Sequence, residues 1–381
     1  MDDATALARA KQIACDVVAP HAARHDREGD FPVEAIAALG KAGLLGIVVP
    51  KDRGGPGLGP ATFAEVTSTL SSADASVGMI FTMHVCGTLC LASAPKGAKI
   101  DPALRAIASG EHLTTLAFSE KGSRSHFWAP VSKAESVPAG VKLSALKSWV
   151  TSAGHADSYV VSSLSPRAKG PTDSTLYFVP RGTEGLVVAA RWDGMGLRAN
   201  ASAPMMLEGC FVPDEARLTD EGGGFKAMLE VVLPFFNLGS TAVALGICRA
   251  AVGATVCHLK TATFEHLGAS LGETLPTLRS TLARMQIETD GLAARMTDVV
   301  LHLEHPSDMT MLRVLESKAA AGEAAIQVTS HAMRACGGAA FSKQTGIDRF
   351  FRDAHAGAVM APTVEVLHEF IGKALLGIPL F

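Results

Sequence analysis

The sequence predicts an α+β protein in three parts. An N-terminal helical domain spans residues 1–113, a middle β-barrel domain 114–218 and a C-terminal helical bundle 219–381. Three observations predict it. Apolar residues recur at helical spacing up to about residue 113, the period then drops to two, and helical texture returns after Gly222.

The elements follow in order. "MDDATALARAKQIACDVVAP" reads as an amphipathic helix with charges throughout, without the basic start and apolar core of a secretory signal. "FPVEAIAALGKAGLLGIVVP" is helical and then stopped by Gly and Pro. "GPATFAEVTSTLSSADASVGMIFTMHVCGTLCLAS" is a further helical region, with a small-residue interruption at Ser71–Asp74. Next come short β-type runs, "TTLAFSE", "GVKLSALKSWVTSA", "DSYVVSSL", "STLYFVPR", "EGLVVAAR" and "APMMLEGCFVP". Turn clusters such as "SPRAKGPTD" and "RGTEG" separate them, as expected of a barrel or folded sheet. Beyond Gly222, "FKAMLEVVLPFFNLGSTAVALGICRAAVGATVCHLKTA" is long and apolar, and two Ala-rich amphipathic stretches follow, the pattern of a bundle.

Composition narrows the function. Of 381 residues, 48% are hydrophobic and 19% charged, so the chain can bury a large core. A net charge of −3 with no run of five or more like charges gives no footprint for nucleic acid. The longest candidate membrane span, Val231–Cys248, is interrupted by Pro234, Asn237, Gly239 and Ser240, and reads as a buried helix. Seven scattered Cys without a C-x-x-C pair read as buried free thiols in a cytoplasmic protein. The 13 His form no H-E-x-x-H motif, so no metal site is expected.

Five ordered segments carry a family resemblance. They are "GLLGIVVPKDRGGPGLG" (43–59), "LAFSEKGSRSHF" (116–127), "KSWVTSAGHAD" (147–157), "RWDGMGLRANAS" (191–202) and "ACGGAAFSKQTGIDRFFRDA" (335–354). Their order and spacing resemble the acyl-CoA dehydrogenase superfamily over nearly the whole chain. The resemblance implies a flavoprotein, with FAD the expected cofactor and FMN possible. It also implies a homo-oligomer, dimer or tetramer, in which two subunits complete each cofactor site. Carried over by residue, Trp149 would lie against the flavin ring, Thr151 near its N5 and Ser119 at its pyrimidine side, with Phe118 and Ser125 in the same segment. Phe264, Gly337 and Gly338 would meet the cofactor from the neighbouring subunit, and Thr363 would sit on the substrate side.

The departures matter as much. Acyl-CoA dehydrogenation requires a carboxylate to remove the proton α to a thioester. Where the resemblance puts that Glu stands Ala361, and the alternative site on "VVLPFFNLGS" carries Phe236. Glu365, Glu369 and Glu230 are spaced too far away to substitute. Pro234 and Asn237 replace an Asp and an Arg that contact the thioester carrier, and Thr261 replaces an Arg that meets the cofactor diphosphate. Arg124 and His126 replace a Gly and an Asp, adding two potential cations at the pocket mouth. His84 on "FTMHVCG" and His126 are the candidate proton-transfer residues, since imidazole titrates near neutrality; the alternatives are a packing role for His84 and an ordinary exposed loop position for His126. Three functions follow: a dehydrogenase-like oxidoreductase acting on an acyl thioester with an atypical base, a monooxygenase using reduced flavin and O₂, or a silent subunit completing a partner's flavin site in a hetero-oligomer.

Overall fold

A computed structural model describes residues 1–97, 99–124 and 126–380. The N-terminal domain contains α1 (Asp3–Ile13), α2 (Ala19–Glu28), α3 (Val33–Lys41), α4 (Pro60–Ala73), α5 (Ala75–Ser93) and α6 (Ile100–Ala108). The interruption at Ser71–Asp74 is a junction between two helices. Asp74 caps α5, its carboxylate accepting from the Ser76 N–H at 2.8 Å.

The middle domain comprises β1 (Thr114–Ala117), β2 (Glu135–Val137), β3 (Gly140–Val150), β4 (Ser158–Leu164), β5 (Ser174–Pro180), β6 (Leu186–Val188) and β7 (Ala203–Pro213). They form two sheets, ordered β1-β4-β5 and β2-β3-β7-β6. β1 and β4 pair in parallel, and the other pairs are antiparallel. An isolated bridge between Glu120 and Lys147 ties the chain leaving β1 to β3, so the sheets meet as halves of a flattened barrel.

The C-terminal domain holds α7 (Gly224–Ala227), a π-helical turn over Met228–Val232, and α8 (Leu233–Thr261). A short hairpin, β8 (Thr263–Phe264) and β9 (Ala269–Ser270), leads to α9 (Leu271–Thr274), α10 (Pro276–Glu304), α11 (Thr310–Phe341), α12 (Ile347–Val359) and α13 (Val364–Leu376). α8 is the central rod, packed on α4 and α5 from the first domain and on α10 and α11 from its own. Small residues permit that approach: a Cβ on Gly239 would come within 2.4 Å of the Thr82 side chain.

Among the described residues two helices, Ala75–Ser93 and Gly224–Thr261, are apolar and long enough to cross a membrane, but 83% and 89% of their windows are buried inside the protein. The first escapes a reading that weighed only Val231–Cys248; it carries no Asp, Glu, Lys or Arg. The thiol expectation needs a correction too. All seven Cys are free, but Cys15 and Cys257 are exposed, because each falls on the outward face of its helix.

Candidate functional site

The cavity that dominates the domain junction holds about 710 Å³, within the ~300–1,000 Å³ usual for small-molecule sites. All three domains wall it. α5 supplies Met79 and Met83, the middle domain supplies Ser119, Ser148, Trp149, Thr151 and the loop ahead of β7, and the last domain supplies Phe236 and Ala361. A smaller apolar cavity of about 70 Å³ shares Met83, Ser119, Ser148, Trp149, Phe236 and Ala361 with it and adds Leu116, Phe118, Phe127 and Val232.

β3 delivers the central side chains. Its pairing with β7 breaks register between Lys147 and Val150, and within that break Trp149 takes φ +59°. For a bulky residue this left-handed backbone is strained by roughly 1–3 kcal/mol, and a bulge re-aims the side chain it carries. Trp149 is 64% exposed, lines both cavities and meets Trp192 edge-on at 5.6 Å. Thr151 is buried beside it, its hydroxyl 3.1 Å from that of Ser202. Ser119 takes its place through its carbonyl, which accepts from the Ser148 N–H at 2.9 Å. The result is a flat aromatic face opposite apolar side chains, with hydroxyls along one edge. That arrangement fits a flavin ring, which requires stacking surface and hydrogen-bond donors around a polar edge.

Beneath this edge lies a buried ion pair. Lys147 Nζ donates to Glu120 Oε1 at 2.6 Å and to the Ser162 carbonyl at 2.5 Å. Glu120 Oε2 accepts from the Val131 and Ser132 amides at 2.8 and 2.7 Å, and Oε1 also accepts from the Ser132 hydroxyl. Burial disfavours the Glu120 charge, but the Lys147 ammonium and Ser132 outweigh it and hold the carboxyl below its ordinary range. Glu120 is the sole carboxylate among the described residues lining either cavity, and both its oxygens are occupied.

Other predicted residues fall elsewhere. His84 is wholly buried, with Nε2 2.9 Å from the Leu45 carbonyl and Nδ1 accepting from the Thr114 N–H at 3.1 Å. Burial lowers it to about 4, so it stays neutral, and it lines neither cavity. The proton-transfer expectation is therefore corrected: His84 pins α5 to the chain entering β1. His126 is exposed and stacks on Trp128 at 4.9 Å, outside both cavities, whereas its neighbour Arg124 does line the larger one. Thr363 caps α13, its hydroxyl accepting from the Val366 N–H at 3.4 Å, and is not a cavity residue. Phe264 meets His266 edge-on in the β8–β9 hairpin. Gly337 breaks the helical path of α11 with φ +52°, and Gly338 follows it; neither they nor Phe264 line a cavity of this chain. Ser125 lies outside the described residues. Ala361 lines both cavities, and Glu365 and Glu369 are exposed on α13.

Sequence reasoning left Met79, Met83, Trp192, Asn200 and Ser202 unassigned, although all line the cavity. The last three lie in "RWDGMGLRANAS", so the motif marked the segment without naming its side chains. Asp353 fastens that segment, accepting the Leu197 N–H at 2.7 Å, and Gly196 lies so close to α12 that a Cβ would be 2.5 Å from the Arg352 carbonyl.

The fold and this site define a three-domain enzyme of one known class. Family models for the acyl-CoA dehydrogenase N-terminal, middle and C-terminal domains match residues 2–111, 115–210 and 222–376. The chain belongs to the acyl-CoA dehydrogenase family. It is 27% identical over 368 residues to a probable acyl-CoA dehydrogenase, YngJ, of Bacillus subtilis, covering 96% of each chain. Its fold matches butyryl-CoA dehydrogenase from Megasphaera elsdenii (TM-score 0.92, 23% identity, 99% of this chain and 100% of the other). Its fold also matches FMN-bound TdsC from Paenibacillus sp. A11-2 (TM-score 0.88, 23% identity, 98% of each).

Proposed function

We propose that this enzyme is a flavin-dependent oxidoreductase that works without its relatives' carboxylate base, and that it hydroxylates a small apolar substrate at the expense of O₂ and reduced flavin. The observation that carries the proposal is the cavity wall. Ala361 and Phe236, which the resemblance puts at the two positions from which the family presents a base, both line it, and its one carboxylate among the described residues, Glu120, is locked to Lys147. An α-proton of a thioester has no acceptor there.

The balance is simple. Reduced flavin, supplied by a separate reductase, contributes two electrons and two protons; one oxygen atom enters a substrate C–H bond and the other leaves as water. Trp149 would stack on the flavin, Ser119 and Thr151 would donate to its polar edge, and Leu116, Phe118, Phe127, Val232 and Phe236 would exclude water from the substrate. FAD is the expected cofactor, with FMN the alternative because Thr261 stands where the resemblance expects a diphosphate-binding Arg. Assembly as a homo-oligomer follows from assigning Phe264, Gly337 and Gly338 to a neighbour's site. A dehydrogenase acting on acyl thioesters is the second reading, favoured by curated relatives such as YngJ that carry that name.

Anaerobic titration of the flavin-loaded enzyme with acyl-CoA thioesters tests the choice. Flavin absorbance is expected to persist, and product to form only when the flavin is reduced and O₂ admitted. Bleaching by any thioester would overturn the monooxygenase reading in favour of the dehydrogenase. No oxygen-dependent product across apolar substrates, with flavin bound, would favour a silent partner subunit.

A further inference from the structure

Lys318, in the third turn of α11, is 1% exposed and makes no ion pair among the described residues. Lysine is almost never buried in this way without a reason. Its ammonium reaches three carbonyl oxygens, of Pro362 at 2.6 Å, Met360 at 3.0 Å and Gly357 at 3.4 Å. These belong to the last turn of α12 and the chain leaving it. Carbonyls at a helix end lack intrahelical donors, and a cation there also meets the negative end of the helix dipole. On its other side Lys318 lies 5.9 Å from the centre of the Phe236 ring. One turn along α11, Gly322 presses on the same segment: a Cβ there would be 2.9 Å from Val364.

The three groups that Lys318 touches or tethers, Met360, Ala361 and Phe236, are neighbours in the cavity wall, where a base would stand in a dehydrogenase. An apolar residue at 318 would leave three carbonyls of that turn without their donor, each a loss large enough to loosen a short segment. We propose that Lys318 is a positioning residue of this site. Its ammonium fixes the turn Gly357–Pro362, and through it the wall formed by Met360, Ala361 and Phe236. The inference rests on the reading of this cavity as the flavin and substrate site, but its first readout does not need flavin.

The experiment compares Lys318→Met, Lys318→Arg and wild type, first without cofactor, by hydrogen exchange of the segment 356–363. Protection there is expected to fall about tenfold or more in Lys318→Met. It should be largely restored in Lys318→Arg, which keeps the charge and the donors, with the rest of the chain unchanged. FMN and FAD are then titrated in, reading affinity and the shape of the bound-flavin spectrum. The methionine variant is expected to bind about tenfold more weakly with an altered spectrum, and the arginine variant to approach wild type. Unchanged protection in Lys318→Met, or a loss spread evenly over the whole bundle, would overturn the proposal. So would lost protection with flavin affinity and spectrum intact. If wild type itself bound no flavin, the functional reading would fail, while the exchange result would still decide whether Lys318 holds the turn. Should Lys318→Met not be recovered in folded form, Lys318→Gln, with two N–H donors on a shorter stem, is read by the same criteria.

Discussion

Replacing Lys147 by Met removes the cation from beneath the cavity-facing strand β3 while keeping its apolar stem. Two buried groups then lose a donor: Glu120 Oε1, bonded at 2.6 Å, and the Ser162 carbonyl, bonded at 2.5 Å. Breaking one partner of a buried pair costs about 3–5 kcal/mol. Glu120 keeps the Val131 and Ser132 amides and the Ser132 hydroxyl, so its charge is not fully orphaned and the lower half of that range applies. A stranded Ser162 carbonyl adds about 1–3 kcal/mol. The expected total is therefore about 4–7 kcal/mol. Native-state hydrogen exchange of Val131 and Ser132, whose N–H groups terminate on Glu120, reads this free energy locally. The double variant Lys147→Met/Glu120→Gln should be less unstable than the sum of the single ones, by about 1–3 kcal/mol. A loss below ~1 kcal/mol in Lys147→Met, or strict additivity in the cycle, would refute the claim that a charged pair organises this edge.

Burial raises Asp353 to about 7, so the folded protein holds a proton that the unfolded chain releases near 4. Its contribution is fully present below the unfolded value and is lost as pH rises towards 7, by roughly 4 kcal/mol; Asp353→Asn, which keeps the acceptor for Leu197, should abolish that slope in urea midpoints taken from pH 4 to 7. His84 runs the other way. Its folded value of about 4 lies below the ordinary one, so its contribution is present above about 6.5 and is lost as pH falls to 4. His84→Ala should cost about 2–4 kcal/mol through the stranded Leu45 carbonyl and Thr114 amide, yet leave the pH profile of kcat unmoved; a shifted profile would return His84 to the list of proton-transfer groups. In Ala361→Glu, acyl-CoA thioesters should begin to bleach the flavin, gaining about 10²-fold or more in rate over wild type by stopped-flow absorbance. No gain would mean the pocket no longer admits a thioester.

The sequence carried the three-part organisation because each part has its own period, and each is long enough for that period to be read. It singled out Phe118, Ser119, Trp149 and Thr151, which line the cavities, because they lie on two segments whose motifs are contiguous, and those segments meet in the structure through the Ser119–Ser148 backbone bond. Where partners are distant, the reading failed. His84 looks like a lone titratable group on an apolar helix; what makes it a neutral structural pin is a carbonyl 39 positions earlier and an amide 30 positions later. Lys318 was invisible for the same reason. In "LESKAAAGEAA" it resembles an ordinary solvent-facing lysine, and its partners are main-chain oxygens, which leave no mark on composition. Thr363 is a different failure. A Thr before an apolar helical run is a capping signal in its own right, and that local role accounts for the residue.

The cavity's walls come from α5, from β3 and the loop before β7, and from α8 with the turn after α12, so no domain owns it. A molecule seated there touches all three at once and behaves as a fourth piece of the core. Its binding free energy is then shared with the docking of the domains. At a hundredfold excess over its Kd it would add about 2.7 kcal/mol to their association. Isolated domains would lack that contribution, and proteolysis at the domain junctions would report the fraction of chains that hold it.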